Sequence, residues 1–351
     1  MGVAFQPRRL KLIRLSIAAK SRSHRVLKPD MSKTRKKWIS FCALASVVAL
    51  LPLVVKGSYY LLVLNIIAIN GLIVLGLNLL IGFAGQISLG HAAFFGMGAY
   101  LSAILTSMYN TPPWPTLVLV MVFTGVVAYV LGVPTLRLAG HYLVMATLGF
   151  NIILYILMVQ MERWTGGPSG FAEIPPLHLG SFPIQGDFHF YWLIWPLFLI
   201  IFIFSLNLVD SRVGRALRAI HENELVANAM GVNTERYKVI IFAISAAYAS
   251  LAGSLYAHYL SFISPKTFDI FYSIKIVTMV VVGGIGNLWG GLLGAAVLTA
   301  LPEVLHAMRD YALLFYGVIL MGVLVFFPEG LLPGLVRIWS RKKGAKAVAS
   351  E

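Results

Sequence analysis

The feature that most constrains this chain is its succession of long apolar runs. A helix needs about 20 predominantly apolar residues to cross a bilayer. Only 12% of the residues are charged, whereas a soluble domain carries roughly 25%, so most of the surface must face lipid. The sequence therefore predicts an all-α integral membrane protein with about ten transmembrane helices. The predicted spans are residues 38–55, 59–81, 86–108, 115–133, 141–161, 191–209, 239–260, 268–285, 288–306 and 311–328.

The net positive charge of the chain lies at its two ends. Of the formal net charge of +15, residues 1–37 carry +11 and residues 337–351 carry +4, so the remainder is neutral. Basic ends beside apolar spans are retained in the cytoplasm, and two cytoplasmic termini require an even number of spans. The basic residues lack interleaved aromatic side chains for base stacking, which argues against nucleic acid as a partner.

The same charge pattern divides the chain into regions. Residues 1–37 are predicted to be a disordered basic extension, with Met31 as the native initiator, and residues 331–351 a basic cytoplasmic tail. Between them, 38–330 form a polytopic transmembrane domain. The long connection 162–190 has Arg163 as its sole Lys or Arg and is predicted to be external. The connection 210–238 carries five basic residues and is predicted to be cytoplasmic. The eighth and ninth spans are short, and one broken re-entrant hairpin is the alternative.

The cytoplasmic connection contains a predicted amphipathic helix at 212–231. Strong helix formers dominate this stretch, and Val213, Leu217 and Ile220 form a narrow apolar stripe beside three arginines. Gly231 is placed to end the helix in a left-handed conformation. Asn233 or Thr234 can then cap the following span. Two interpretations remain open, namely a helix that rests on anionic headgroups and a helix that docks against a cytoplasmic partner.

Two glycine-rich stretches share one pattern, G-x-x-G-[QN]-[IL]-x-x-G, at 82–90 and 283–291. Paired glycine interruptions in a transporter indicate discontinuous helices around a translocation path. The alternative is that the glycines allow close helix packing, and that His91 hydrogen-bonds a neighbouring helix. The candidate path residues are Gly85, Gln86, Ser88, His91, Gly283, Gly284 and Asn287.

Several classes of chemistry lack their motifs. The sequence has no G-x-x-x-x-G-K-[ST] loop, no H-E-x-x-H, and one cysteine, Cys42, so an ATPase site, a zinc protease and a cysteine-based metal site are not predicted. The central thirds of the first seven spans hold no Asp, Glu, Lys or Arg, which argues against a proton relay. We therefore expect a non-enzymatic chain without a metal or cofactor.

The stretch "ENELVANAMGVN" resembles the cytoplasmic EAA loop of bacterial ABC-importer permeases, in the degenerate form of branched-chain amino-acid permeases. Four further stretches resemble the LivM-type permeases in the right order, over about residues 35 to 335. They are "NLLIGFAGQISLGHAAFFGMGAY", "GHYLVMATLGF", "TGGPSG" and "VVVGGIGNLWGGLLGAA". The loop departs from the plain motif, because no contiguous Glu-Ala-Ala occurs and the spacing from Glu224 to Gly231 is one residue longer.

This resemblance implies the permease subunit of an ATP-driven importer of leucine, isoleucine and valine in a bacterial cytoplasmic (inner) membrane. Its implied partners are a second homologous permease subunit, two cytoplasmic ATPase subunits that carry ATP and Mg, and an extracytoplasmic binding protein that delivers the amino acid. The helix at 212–231 would be the coupling helix, with Arg215, Glu224, Ala227 and Gly231 as its coupling residues. The alternatives are a urea or short-amide permease of the same family, a self-sufficient channel or ion-coupled carrier, and a non-transporting scaffold.

Overall fold

A computed structural model describes residues 31–54, 57–138, 140–179 and 182–304, with a few positions between 317 and 334. It divides into two units, Met1–Val55 and Lys56–Glu351. In the first unit, helix α1 (Met31–Val54) begins at the predicted initiator. Residues 31–37, which the sequence assigned to a disordered extension, are therefore part of a helix. Residues 1–30, the tail beyond 334 and most of the predicted span 311–328 lie outside the described residues.

The second unit is built from helices, with three short connecting turns of other helical types. Helix α2 continues into a π-helical turn at Leu79–Phe83, and 3₁₀ turns lie at Gly167–Ser169 and Pro265–Phe268. The α-helices are α2 (Ser58–Asn78), α3 (His91–Met108), α4 (Pro113–Thr135), α5 (His141–Gln160), α6 (Glu162–Thr165), α7 (Asp187–Asp210), α8 (Arg212–Glu222), α9 (Glu224–Ala229), α10 (Thr234–Leu260), α11 (Ile270–Gly283) and α12 (Leu288–Val304).

Six of the described helical segments are long and apolar enough to cross a membrane. They are Lys37–Val54, Ser58–Phe83, Pro113–Thr135, His141–Gln160, Asp187–Asp210 and Thr234–Leu260. The predicted third span, 86–108, becomes helical at His91, because the preceding glycine-rich residues leave the helix. Helices α11 and α12 have 14 and 17 residues and are shorter than a full span. An all-α membrane fold is therefore confirmed, whereas the count of about ten spans is not.

Helices α2 and α10 form the core of this unit. Of the residues in their apolar stretches, 89% and 72% are buried, against 33% or less in α4, α5 and α7. A helix that is apolar all round is suited to burial within a bundle. Helices α4, α5 and α7 instead turn many large apolar side chains outward, as lipid-facing helices do. Helices α2 and α10 are thus the buried helices of this unit, whereas α4, α5 and α7 expose apolar surface that suits contact with lipid.

The predicted external connection 162–190 lies against the helices. Strand β1 (Phe171–Ala172) pairs antiparallel with β4 (Phe262–Ile263), and β2 (His178–Leu179) pairs with β3 (Phe182–Pro183). The buried His258 of α10 anchors the connection, because its Nδ1 lies 2.8 Å from the carbonyl oxygen of Pro175 and its Nε2 lies 2.9 Å from Oγ of Ser102. These contacts hold the part of the connection around Pro175 against α3 and α10.

Candidate functional site

The predicted helix at 212–231 is two helices, α8 and α9, which are separated at Asn223. Asn223 has φ −160° and ψ 108°, an extended conformation, and its Oδ1 accepts a hydrogen bond from the Val226 amide at 3.1 Å. An asparagine in this position caps the second helix and interrupts the first. The expectation of one continuous helix is wrong for this reason, because the capping side chain competes with helix continuation.

Helix α8 turns its apolar stripe toward the protein. Ser211 caps the helix, its Oγ accepting from the amides of Val213 and Gly214. Leu217 and Ile220 are buried, whereas the three arginines of α8 are exposed. Arg215 donates from Nη1 to the carbonyl oxygen of Asp210 at 3.4 Å. The predicted amphipathic pattern is confirmed, and its polar face with Arg215 is open to solvent.

The end of α9 has the geometry that the sequence predicted for Gly231. Gly231 has φ +85°, and its amide donates to the Asn228 carbonyl at 2.9 Å, while the Val232 amide donates to the Ala227 carbonyl at 3.1 Å. These two hydrogen bonds form a Schellman motif, which requires a left-handed residue that glycine adopts without strain. Asn233 then caps α10 by accepting from the Arg236 amide at 3.1 Å.

Helix α9 presents an exposed apolar surface. Leu225 and Met230 are 82% and 80% exposed, and Val226 is 54% exposed. We call these three residues the α9 apolar surface. On the opposite side of the same helix Ala227 is buried. Grouped apolar side chains that protrude from a helix are typical of surfaces that contact a protein or a membrane.

Glu224 and Lys238 form a link between α9 and the transmembrane helices. Oε1 of Glu224 lies 2.6 Å from Nζ of Lys238, and the same Nζ donates to the carbonyl oxygen of Leu136, at the end of α4, at 3.1 Å. Lys238 is only 5% exposed. One ammonium group therefore joins α9, α10 and the end of α4. In the sequence Lys238 is one of the five basic residues of the connection 210–238, and its place at the start of an apolar span is a signal for the buried role that the structure gives it.

A cavity of about 550 Å³ opens beside this link, and we call it the vestibule cavity. It is lined by residues 85–87 of the first glycine-rich stretch, by residues 136–138 and Gly140 after α4, and by three residues of the first turn of α5. Glu224, Glu235 and Lys238 complete the lining. The structure thus brings together two predicted path residues and one predicted coupling residue. Among the described residues, no group of three His, Cys, Asp or Glu side chains comes together that could hold a metal ion.

The two glycine-rich stretches pack against each other around Asn78. Nδ2 of Asn78 donates to the Asn287 carbonyl at 2.9 Å, and its Oδ1 accepts from the Gly286 amide at 2.9 Å. Gly82 faces Gly286 so closely that a Cβ atom on Gly82 would collide with the Gly286 backbone. Both interruptions are therefore used for close packing. Asn78 was missed by the sequence analysis, although a polar residue in a long apolar run is a recognisable signal.

The remaining predicted path residues lie in packing or capping positions, and all of them except the half-buried Asn287 are buried. Ser88 accepts from the Gly90 amide at 3.3 Å, and Nε2 of His91 lies 2.6 Å from Oγ of Ser245 in α10. Asn287 caps α12, because its Oδ1 accepts from the amides of Trp289 and Gly290. Gly283 and Gly284 are buried at the end of α11. Of the seven candidates, only Gly85 and Gln86 line the vestibule cavity.

Comparison with known proteins assigns the chain to a family. A family model described as branched-chain amino acid transport system / permease component matches residues 59–324. The chain belongs to this family. It is 31% identical to the high-affinity branched-chain amino acid transport system permease protein LivM of Salmonella typhimurium, over 87% of this chain and 76% of that protein. No solved structure matches the chain.

Two more distant relatives show how widely the family extends. The permease protein LivH of Escherichia coli K12, from a high-affinity branched-chain amino acid transport system, is 26% identical over 74% of this chain and 90% of that protein. The autoinducer 2 import system permease protein LsrC of Salmonella paratyphi B is 29% identical over 71% of this chain and 72% of that protein. Membership of the family therefore identifies an integral membrane transport subunit. The names of these relatives refer to different solutes, namely branched-chain amino acids and autoinducer 2.

Proposed function

We propose that this chain is a permease subunit of an ATP-driven importer that translocates leucine, isoleucine and valine. Its partners would be a second homologous permease, two cytoplasmic ATPase subunits that bind ATP and Mg, and an external binding protein that delivers the amino acid. The family membership and the 31% identity to a LivM permease support this proposal. The observation that carries the coupling part of it is the α9 apolar surface, where Leu225 and Met230 are about four-fifths exposed.

A docked ATPase could act on the transmembrane helices through two contacts of the α8–α9 segment. The first is the Glu224–Lys238 ion pair, whose lysine also binds the end of α4. The second is His221 of α8, since a Cβ atom on Gly85 would lie 3.0 Å from its Nδ1. Closure of the ATPases would thus shift α10, α4 and the first glycine-rich stretch together. Rigid elements that pack this closely move as bodies.

The topology belongs to the same proposal. Arg212, Arg215 and Arg218 support a cytoplasmic position for the α8–α9 segment of a protein in the bacterial inner membrane. Ten spans would leave both basic termini in the cytoplasm, as the positive-inside rule expects. In that arrangement the segment 162–190 is external, where its fixed position on α3 and α10 would suit contact with a binding protein.

The experiment that tests the function is uptake of labelled leucine into proteoliposomes that contain all the proposed subunits. We expect uptake that requires ATP and the binding protein and that excess valine or isoleucine blocks but urea does not. Uptake that is equally fast with and without ATP would indicate a channel or an ion-coupled carrier. ATP-driven uptake of urea alone would keep the mechanism and reject the substrate.

A second experiment tests docking on the α9 apolar surface. The double variant L225S/M230S should insert normally but recover less ATPase subunit when the complex is purified, because the apolar contact area is lost. Phe262→Ser is the matched control, since Phe262 is also an exposed apolar residue and lies in the external β4. Equal recovery of the ATPase with L225S/M230S and with the control would exclude this surface as the docking site.

A further inference from the structure

The lining of the vestibule cavity combines both signs of charge with an aliphatic wall. Arg137 and Lys238 supply two positive charges, and Glu224 and Glu235 supply two negative charges, while the imidazole of His141 adds a further polar group to the lining. The wall consists of Ile87 and the leucine and valine side chains of the segment 136–144. Because the four charges cancel, the cavity is complementary to a neutral molecule that carries one positive and one negative group. A zwitterion can bind to both members of the Glu224–Lys238 and Arg137–Glu235 ion pairs, whereas an anion or a cation can bind to groups of one sign only.

From this lining we propose that the vestibule cavity is a binding site for a free zwitterionic aliphatic amino acid on the cytoplasmic side of the protein. This inference rests on the proposed function for the identity of the solute. The amino acid's carboxylate would accept hydrogen bonds from Lys238 and Arg137, and its ammonium group would donate to Glu224 and Glu235. The aliphatic side chain would lie against the apolar wall.

The charged groups are available to such a ligand. Arg137 and Glu235 are 3.9 Å apart, with side chains 64% and 65% exposed, and exposed pairs of this length contribute little stability. The Lys238 ammonium has three hydrogens, of which two point to Glu224 and to the Leu136 carbonyl. A third donor remains for a carboxylate. A buried ammonium interacts strongly with an added negative charge, because water screens it poorly.

The position of the cavity indicates when the site would be occupied. Gly85 and Gln86, which line it, lie where the chain leaves the helix between α2 and α3. Backbone groups freed by such an interruption line a cavity or are buried by protein. The exposed Gly85 and Ile87 show that this interruption is open to the cavity. The amino acid would therefore occupy the site as it leaves the protein toward the cytoplasm.

Photoaffinity labelling with a diazirine analogue of leucine tests the proposal directly. The probe is added to the full complex of both permeases and the ATPases in nanodiscs, without the binding protein, and labelled peptides are identified by mass spectrometry. We expect label in the segments 85–87, 136–144 and 224–238. Excess leucine or valine should remove it, whereas lysine or glutamate, which carry net charge, should compete far less well. Label confined to other segments, or label that leucine does not displace, would overturn the proposal.

Variants of the charged lining complete the test. Arg137→Gln changes an exposed residue that the fold does not need, and Lys238→Met removes the buried ammonium. Each should weaken labelling about tenfold or more, as loss of a hydrogen bond to a charged group does. Arg218→Gln, an exposed change on α8 outside the cavity, should label like the wild type. Wild-type labelling of both cavity variants would overturn the proposal.

Uptake measured with the same preparation separates this inference from the proposed function. ATP-dependent leucine uptake without label in the cavity would reject the cytoplasmic binding site and leave the importer function standing. Absence of ATP-dependent leucine uptake would reject the proposed function itself.

Discussion

Replacing Gly231 with valine should abolish uptake at a small cost in stability. Gly231 has φ +85°, and a Cβ atom built on it would meet no other atom within 4 Å. The cost of the substitution is therefore backbone strain alone. A left-handed conformation costs an L-residue about 1–2 kcal/mol, with about 3 kcal/mol as the upper limit for such strain. That strain favours opening the Schellman motif and thus rotates α9, with its apolar surface, relative to α10.

Gly186 offers a matched control for this change. It has φ +84°, and a Cβ atom there would also meet nothing within 4 Å. It precedes α7 on the predicted external side, far from α9 in the sequence. Its ψ is 157°, which is a backbone region essentially confined to glycine, so Gly186→Val introduces strain at least as large as that of Gly231→Val without disturbing the docking helix. Both variants should lower the melting temperature, and Gly186→Val should lower it at least as much as Gly231→Val, by about 2–4 °C for each kcal/mol in a domain of 150–250 residues.

The assay combines three measurements on each variant, namely the amount of protein in the membrane, the melting temperature of the purified complex, and ATP-dependent leucine uptake. We expect normal insertion of both variants and loss of uptake in Gly231→Val alone. Gly231→Asn should retain most of the uptake, because asparagine tolerates the left-handed region. Wild-type uptake by Gly231→Val with a lowered melting temperature would refute the coupling role of α9, as would equal loss of uptake in both valine variants.

Three further changes test the fold around the site. Asn78→Leu should destabilise the purified protein by about 1–3 kcal/mol, because two interhelical hydrogen bonds are lost at about 0.6 to 1.7 kcal/mol each, and an unchanged melting temperature would contradict this. His258→Phe should speed cleavage of the segment 171–179 by added protease, because the Ser102 and Pro175 contacts are lost, and wild-type cleavage would reject the anchoring role. Deleting residues 1–30 should leave uptake unchanged, and failure of insertion would show that Met31 is not the start.

Local signals in the sequence predicted the α8–α9 segment well. The stripe of α8, the left-handed Gly231 and the cap at Asn233 depend on residues within a few positions of one another, and each was confirmed. The break at Asn223 was missed because a capping residue inside a helix-forming stretch has no strong effect on the average propensity. The break can be predicted only if the hydrogen bond from the Asn223 side chain to the backbone is compared with the backbone hydrogen bonds of a continuous helix.

Contacts between distant residues were beyond the sequence analysis. Asn78 and Asn287 are 209 positions apart, and Lys238 and Leu136 are 102 positions apart. No local pattern indicates which polar group will face which carbonyl, because that choice depends on how the helices pack. The shared glycine pattern did indicate that the two interruptions are related. It could not show that they meet at one asparagine, with the vestibule cavity lined by the first alone.

The two buried helices are held in place by different means, and this difference bears on how force from α9 would travel. Without a hydrophobic driving force between helices in lipid, close packing of small residues and interhelical hydrogen bonds hold them together. Helix α2 is held to α11 and α12 by amide contacts, with Asn70 bonded to Thr299 and Tyr272.

Helix α10 is instead held to α3 and α4 by small residues. Gly253 approaches the backbone of α3 too closely for any side chain. Ser250 donates to Thr124 of α4 at 2.9 Å, and Ser254 donates to the Gly98 carbonyl of α3 at 3.0 Å. The Glu224–Lys238 link ends on α10 and on the end of α4, so it connects to two helices of this second group. A displacement of α9 would therefore pass through Lys238 to α10 and to the end of α4. From α10 it would pass to α3, and also to α2, because Gly76 of α2 packs against the backbone of Ser245 in α10.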